Sequence, residues 1–307
     1  MKIGMTPVKA TATVIALAIA PCIVSAQSYS TISEQNIYFL SPHPDDILLT
    51  FGGLISKMAN EGSLEHKTNV TEVFFSLSNY STNHLDILTN KRVLDITKMR
   101  FNEDFSAHTE MFGHWDNFRY KTAGFYDAPL RLYEGSPTAG GGPAGSFADF
   151  RQAEIDVYNR IAADITPILK QPDCAAFVLL ANGSHIDHFI VREAVMKAAY
   201  QLGDEAKCQI YFGEDQPYTG ANPDKAQDEL NTIKARLPHN AISKVSYWYD
   251  KDYKLDLFKK YYLSQYDVAY IPPLNNAEFE NIYKWDKSTY RDLQKHQLCN
   301  FDYCALR

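Results

Sequence analysis

The 307-residue sequence lacks the concentrated positive charge with which proteins bind nucleic acids. It has 30 Lys and Arg residues against 37 Asp and Glu residues, a net charge of −7, and no block of basic residues stands out. Because binding to phosphates depends on clustered Lys and Arg, we expect no nucleic-acid partner. The same charge disfavours binding to an anionic membrane surface.

Long hydrophobic runs are also scarce, and the one near the N-terminus is too short to span a bilayer comfortably. ATATVIALAIA (Ala10 to Ala20) follows two lysines and precedes VSA, whose small residues suit signal peptidase. We therefore expect a secretory signal peptide at residues 1–26, a secreted or periplasmic location, and no membrane span after cleavage. A retained N-terminal anchor and lipidation at Cys22 are the alternatives.

Cysteines are few, and the C-x-x-C pairs typical of a cysteine-type zinc site are absent. Removal of the signal peptide leaves Cys174, Cys208, Cys299 and Cys304, and an even number in an oxidising compartment favours disulfides. Cys174 and Cys208 each open an apolar strand-like run, so they can meet if those strands are parallel neighbours. A bond between Cys299 and Cys304 would clip the C-terminus. Four free, buried thiols are the alternative.

Apolar runs typical of buried strands alternate with segments of helical periodicity. The predicted strands are residues 36–43, 70–78, 110–115, 174–181 and a strand within 208–218, and the predicted helices are 47–60, about 85–107, 147–170 and 187–203. Alternation with short connections predicts an α/β fold, a Rossmann-like three-layer sandwich with a mostly parallel sheet. In such sheets the ligand binds beyond the carboxyl ends of the strands.

One segment, YEGSPTAGGGPAGS (Tyr133 to Ser146), breaks this alternation. It holds five of the fifteen glycines, which excludes regular secondary structure. No G-K-[ST] follows it, so it is not a phosphate-binding loop. A lid over a site and a flexible surface loop are the two interpretations.

Two polar clusters follow predicted strands: HPDD at residues 43–46 and HIDH at residues 185–188. Together they offer His, Asp and His as metal ligands. Three protein ligands with an open fourth position are typical of a catalytic zinc site. Zinc in such a site lowers the pKa of bound water to about 7. A second carboxylate beside the ligand Asp can take the proton of that water. The alternatives are a turn with an Asp helix cap for HPDD and exposed histidines for HIDH.

With these motifs the chain resembles the LmbE-like (PIG-L) family of zinc-dependent N-acetylglucosaminyl deacetylases, whose members carry H-P-D-D-E after the first strand and H-x-D-H later. Ile47 stands here where the family often has Glu. The similarity extends over about residues 36–266 through the segments RFNED, DAPLR, DHFIVREAV, YFGEDQPY and KKYYLSQY. The resemblance implies a single domain of this family over residues 27–307.

The resemblance also implies roles for the residues of the two motifs. His43, Asp46 and His188 would bind Zn²⁺, although the same ligands suit iron or cobalt. Asp45 would be the general base. His185, on the opposite side, would polarise the carbonyl group or protonate the leaving amine.

Arg100, the first residue of RFNED, corresponds to a family arginine that helps to position the substrate. An ion pair with Asp104, four residues later on the helix, is the alternative. Family members often polarise the carbonyl with a Tyr near the second motif, and LANGSHIDH has none. His185 or another residue would then do this.

The function implied by the resemblance is an exported, metal-dependent N-deacetylase. It would remove acetyl from an N-acetylamino sugar of the N-acetylglucosamine type, in a glycan or a small glycoside. One alternative is a non-catalytic relative that binds glycan through the metal. The other is a hydrolase that acts on an N-acyl amide that is not a sugar.

Overall fold

The computed structural model of the chain describes residues 32–81, 90–131 and 145–293. The predicted signal peptide, most of the glycine-rich segment, and Cys299 with Cys304 lie outside the described residues. Those predictions, including the single domain from residue 27 to the C-terminus, therefore stay predictions.

Within the described residues the chain forms seven strands and eight α-helices. The strands are β1 (Asn36–Ser41), β2 (Thr68–Val73), β3 (Phe118–Thr122), β4 (Cys174–Leu179), β5 (Gln209–Gly213), β6 (Ile242–Trp248) and β7 (Phe279–Trp285). The helices are α1 (Asp46–Asn60), α2 (Asn90–Met111), α3 (Ile155–Leu169), α4 (Ile186–Leu202), α5 (Tyr218–Ala221), α6 (Pro223–Lys234), α7 (Lys251–Tyr261) and α8 (Ile271–Asn276). None of these helices is long and apolar enough to cross a bilayer.

The strands form one sheet in the order β3-β2-β1-β4-β5-β7-β6. The five strands from β3 to β5 are parallel, whereas β7 pairs antiparallel with both β5 and β6. The α/β prediction of a Rossmann-like, mostly parallel sheet is confirmed. The antiparallel pair at one edge is the part that the sequence analysis did not predict.

The core has two halves, one on each face of the sheet, because successive side chains of a strand point to opposite faces. In β4, Ala176 and Val178 pack with α3, α4 and α6, whereas Phe177 and Leu179 pack with α1, α2 and α7. Every residue of β4 is buried, as expected for a central strand covered on both sides. The result is the predicted three-layer sandwich.

The predicted strand at residues 110–115 is wrong. Glu110 and Met111 end α2, and Gly113, with φ of +80°, follows that helix end. The apolar pair Met111 and Phe112 that suggested a strand is instead buried at the end of the helix. The strand itself, β3, begins at Phe118.

The structure contains the disulfide that was expected between the starts of two strands. Cys174 and Cys208 form the expected disulfide, with their Cα atoms 4.4 Å apart at the amino ends of neighbouring strands. These strands, β4 and β5, are parallel neighbours. The alternative of free thiols does not hold for this pair.

A buried ion pair ties the C-terminal part of the chain to the middle of α1. Lys254 of α7 pairs with Glu280 of β7, and both side chains are almost fully buried. The Lys254 ammonium donates to the carbonyl oxygen of Leu49 at 2.7 Å, and Glu280 accepts from the Gly53 N–H at 2.9 Å. A Cβ on Gly53 would lie 2.6 Å from Tyr249, so this close approach requires glycine.

Candidate metal centre and active site

Two polar segments follow neighbouring strands at one edge of the sheet. Residues 43–46 come directly after β1 and lead into α1, and residues 185–188 follow β4 and lead into α4. Strands β1 and β4 pair in parallel, with Phe39 opposite Phe177, so their carboxyl ends lie side by side. The fold therefore brings HPDD and HIDH together.

The HPDD turn is shaped by hydrogen bonds within the motif. The Ser41 hydroxyl donates to the carbonyl oxygen of His43 at 2.7 Å, and the His43 N–H donates to Asp46 Oδ2 at 2.8 Å. Asp45 has φ of +116°, a strained conformation for a residue with a side chain, which typically costs about 1–3 kcal/mol. Among the described residues its carboxylate makes no hydrogen bond that caps α1, so the helix-cap interpretation does not hold for Asp45.

Three predicted ligand atoms converge. His43 Nδ1 lies 3.2 Å from His188 Nε2 and 3.3 Å from Asp46 Oδ2, and His188 Nε2 lies 3.4 Å from Asp46 Oδ1. All three side chains are buried. Two imidazole nitrogens and a carboxylate are a donor set that zinc accepts.

The outer ring nitrogens of both histidines face carboxylates. His43 Nε2 lies 2.9 Å from Asp187 Oδ2, and His188 Nδ1 lies 2.8 Å from Asp215 Oδ2. Because a carboxylate accepts, we assign the protons to these outer nitrogens, which leaves lone pairs on the two inner nitrogens. Two lone pairs facing each other at 3.2 Å repel, whereas a cation bound between them attracts both. The residues therefore fit a metal ion, and carboxylates behind histidine ligands are typical of metal sites.

His185 lies beside both of these histidines. Its ring centroid is 4.7 Å from that of His43 and 4.8 Å from that of His188. The three histidines form a second set of atoms, within 4.8 Å of one another, that could hold a metal. The predicted set with Asp46 is tighter, because the Asp46 carboxylate reaches both inner nitrogens within 3.4 Å.

The protonation of His185 follows from its surroundings. Its Nδ1 accepts the Asp187 N–H at 3.2 Å, which places the ring proton on Nε2. Burial is the main cause that holds the pKa of His185 well below its usual value. His185 is therefore a neutral imidazole with one N–H to donate.

Asp45 is held by Arg100 rather than by the ligand histidines. Arg100 Nη2 lies 3.4 Å from Asp45 Oδ1 and donates to the carbonyl oxygen of Pro44 at 3.0 Å. Burial raises the pKa of Asp45 to about 7, although the charge of Arg100 acts in the opposite direction. A carboxylate with a pKa near neutrality suits a general base.

The alternative ion pair between Arg100 and Asp104 does not hold. Asp104 instead accepts hydrogen bonds from the hydroxyls of Tyr120 and Tyr262. Arg100 contacts the HPDD turn directly, and its predicted role in positioning substrate stays a prediction.

Three residues of this edge were missed in the sequence. Asp215 follows β5 and backs His188, and Arg131 donates to Asp187 Oδ1 at 2.5 Å. Asp127 is buried, which raises its pKa to about 6, and among the described residues its Oδ1 has no hydrogen-bond partner. The segments DAPLR and YFGEDQPY, which contain these residues, were the available signal.

A cavity of about 330 Å³ opens onto the ligand atoms. Its described lining includes the six predicted site residues and, from segments further along the chain, Gln216, Pro217, Tyr218, Gln265, Asp267, Ala269 and Tyr270. The metal-binding edge of the sheet is therefore the floor of a cleft whose far wall comes from the last third of the chain.

The model of the PIG-L family, described as GlcNAc-PI de-N-acetylase, matches residues 38–199, more than half of the chain. The chain belongs to the PIG-L family. The matched segment contains both PIG-L motifs and Arg100, whereas Asp215 and the far wall of the cleft lie beyond it. No curated protein sequence matches the chain significantly.

Solved structures support the PIG-L fold. A deacetylase in complex with teicoplanin is 18% identical, covers 82% of this chain and 98% of its own, and superposes with a TM-score of 0.58. A zinc-inhibited teicoplanin deacetylase is 16% identical, with coverage of 81% and 97% and a TM-score of 0.55. A deacetylase of the A40926 pseudoaglycone is 18% identical, with coverage of 81% and 96% and a TM-score of 0.53. At these identities the likeness concerns the fold.

Proposed function

We propose that the chain is a metal-dependent N-deacetylase that removes acetyl from an N-acetylamino sugar of the N-acetylglucosamine type. The observation that carries this proposal is the convergence of His43, Asp46 and His188 beside a second carboxylate, Asp45, that binds none of them. Membership of a family described as GlcNAc-PI de-N-acetylase supports it. So do the similar folds of the teicoplanin and A40926 deacetylases.

His43, Asp46 and His188 would hold the metal, with Zn²⁺ as the first candidate and iron or cobalt as alternatives. A bound Zn²⁺ lowers the pKa of water and polarises a carbonyl oxygen. Asp187 and Asp215 keep the two histidines in the required tautomer.

Asp45 would take the proton from the attacking water. Its carboxylate lines the cavity next to the ligands, and Arg100 fixes its position. The neighbouring Asp46 cannot do this, because its two oxygens face the inner nitrogens of the ligand histidines. The adjacent carboxylates thus have different tasks.

His185 would donate its Nε2 proton to the carbonyl oxygen of the substrate. As a neutral imidazole it is a hydrogen-bond donor rather than a strong acid, so we assign it to polarising the carbonyl. Protonation of the leaving amine would then fall to Asp45, which holds the proton taken from water.

The experiment uses the purified full chain loaded with Zn²⁺. We measure bound metal by mass spectrometry and acetate release from a panel of N-acetylglucosamine glycosides. The Asp45→Asn variant should retain the metal and lose activity by at least ~10²-fold, in keeping with general-base contributions. Asp228→Asn, at an exposed position of α6, is the control and should keep full activity.

Three outcomes would contradict the proposal or the role of Asp45 in different ways. A wild-type chain that binds metal but releases no acetate from any glycoside would indicate the non-catalytic glycan-binding relative. Release of acyl groups only from amides without a sugar would indicate the other alternative. Full activity of Asp45→Asn would remove Asp45 from the mechanism.

We further propose that the chain is exported and acts as a secreted or periplasmic enzyme. The N-terminal sequence is the basis, and the bond between Cys174 and Cys208 supports it, because disulfides persist in oxidising compartments. N-terminal sequencing of the exported protein should give Gln27 as its first residue. A cell-retained protein that still begins at Met1 would contradict export.

A further inference from the structure

The cleft above the ligands carries an excess of carboxylates. Four of the described residues that line it are aspartates, namely Asp45, Asp46, Asp127 and Asp267. The only Lys or Arg among the described lining residues is Arg100. A ligand in this cleft therefore meets several negative charges and one arginine.

The charge of Arg100 is already offset. Its guanidinium lies 3.4 Å from Asp45 and donates to the Ser78 hydroxyl and to the Pro44 carbonyl oxygen. Arg100 lines the cleft but is only 4% exposed, so little of its guanidinium is available to a ligand. Its charge is largely committed to Asp45 and the HPDD turn.

The residues behind the cleft do not reverse this balance. Asp187 and Asp215 add two carboxylates, and Arg131 adds one cation, which pairs with Asp187 and with Glu154. A divalent metal would supply two positive charges. The carboxylate of Asp46 among its predicted ligands, and those of Asp187 and Asp215 behind the two histidines, offset them. Among the described residues neither Asp127 nor Asp267 forms an ion pair with Lys or Arg, although the charge of Arg100 acts on Asp127 from a greater distance.

The remaining wall beside the ligands is uncharged and aromatic. The Tyr218 ring lies 6.1 Å from the His188 ring, and Phe147 lies 6.3 Å from Tyr218 and 5.8 Å from His185. Tyr80 and Tyr270 line the same cavity. Aromatic faces and hydroxyls suit a neutral sugar ring, whereas an anionic group gains most from Arg and Lys.

We propose that this cleft selects N-acetylamino sugars without phosphate or carboxylate groups, and discriminates against the phosphate-containing kind of substrate that the family description names. The inference rests on the proposed function. Its physical cause is the repulsion between an anionic substituent and unpaired wall carboxylates in a partly desolvated cleft.

The test compares two substrates that differ in one group: methyl N-acetyl-β-glucosaminide and its 6-phosphate. We expect kcat/KM of the Zn²⁺-loaded full chain to be at least ~10-fold higher for the neutral sugar at low salt, because like charges in an interface are strongly disfavoured. Raising the ionic strength should reduce this ratio of kcat/KM values, because salt screens the repulsion between the phosphate and the carboxylates. N-acetylglucosamine 1-phosphate serves as a second anionic probe.

One variant separates charge from shape. Asp267 caps a helical turn by accepting the Ala269 N–H at 2.8 Å, and Asn can keep that bond while losing the charge. Asp267→Asn should raise kcat/KM for the phosphorylated sugar relative to the neutral one by about 3-fold or more, given the strength of partly screened charge pairs. Asp228→Asn, equally neutralising but on the exposed face of α6, should leave the ratio unchanged.

Equal or faster hydrolysis of the phosphorylated sugars would overturn the charge selection while leaving the proposed function intact. So would a ratio that neither salt nor Asp267→Asn alters, since the preference would then come from shape. If the metal-bound chain hydrolyses neither sugar, the proposed function is wrong. Calorimetry then measures the binding of both sugars, which tests the charge selection by itself. Tighter binding of the phosphorylated sugar would contradict the charge selection.

Discussion

Helix α4 carries two buried clusters of charge one turn apart, and the two clusters use their charges differently. His188 belongs to the metal centre, where its inner nitrogen faces that of His43 at 3.2 Å. Arg192, four residues later, belongs to a cluster in which Glu193 accepts from Arg192 at 2.9 Å and from Arg236 at 2.7 Å. In the first cluster acceptor atoms face each other; in the second every carboxylate faces an arginine.

Neither burial nor pKa distinguishes the two clusters. Burial alone would raise the pKa of Asp46, but its contacts with His188 and His43 lower it to about 2. Burial would likewise raise the pKa of Glu193, but Arg236 and Arg192 lower it to about 2. What marks the metal centre is the geometry of its lone pairs together with the adjoining cavity, since buried charges also occur in purely structural ion pairs.

The largest effect should come from removing a ligand of the first cluster. In Asp46→Ala the set of three donors loses its carboxylate, so metal content should fall to near zero and acetate release to background. Metal analysis and the acetate assay check this, with Asp228→Ala as the control. Retained metal in Asp46→Ala would favour the three-histidine set of His43, His185 and His188.

The second cluster should respond in stability instead. Glu193→Gln removes the carboxylate that the buried Arg192 and Arg236 share, so the ion pair with Arg236 is lost and Arg192 keeps Glu229. Breaking a buried ion pair typically costs about 3–5 kcal/mol. Urea unfolding at pH 7 measures this loss. Metal content should stay at the wild-type level, and a variant that loses metal while keeping its stability would join the two clusters into one functional unit.

The smallest effect concerns pH. The folded-state pKa of Glu193 is lowered from 4.5 to about 2, so its stabilisation is complete above pH 4.5 and is lost as the pH falls towards 2. Between pH 7 and pH 3.5 the wild type should lose about 1 kcal/mol more stability than Glu193→Gln. Unfolding of both chains at the two pH values checks this, and parallel losses would exclude Glu193 as the group responsible.

The sequence predicted that the residues of the first cluster would lie together, because they follow strands of one parallel sheet. His43 and His188 are placed by the ends of β1 and β4, and parallel strands bring such ends together whatever the details of packing. The partner of Arg100 was harder to predict. Helical spacing offered Asp104 as an alternative partner, but tertiary structure places Asp45 against the guanidinium and gives Asp104 two tyrosine hydroxyls.

Other features of the site and the fold depend on contacts between residues far apart in the sequence, which local sequence patterns do not show. Asp215 backs His188 only because β5 lies beside β4, and Arg131 reaches Asp187 from a turn. The end of α2 looked like a strand because Met111 and Phe112 are adjacent apolar residues, which fit a short strand and a buried helix end equally well. The antiparallel strands β6 and β7 lie in a segment whose many aromatic residues obscure the alternation.

The buried pair of Lys254 and Glu280 has a consequence for how this protein can change over evolution or in the laboratory. The family match ends at residue 199, yet polar groups in the middle of α1 are bonded by side chains from residues 254 and 280. Recombination that exchanges the last third between relatives must therefore transfer Lys254 and Glu280 together and keep a glycine at position 53. The three residues must therefore stay compatible in any such exchange, although more than two hundred positions separate Gly53 from the other two.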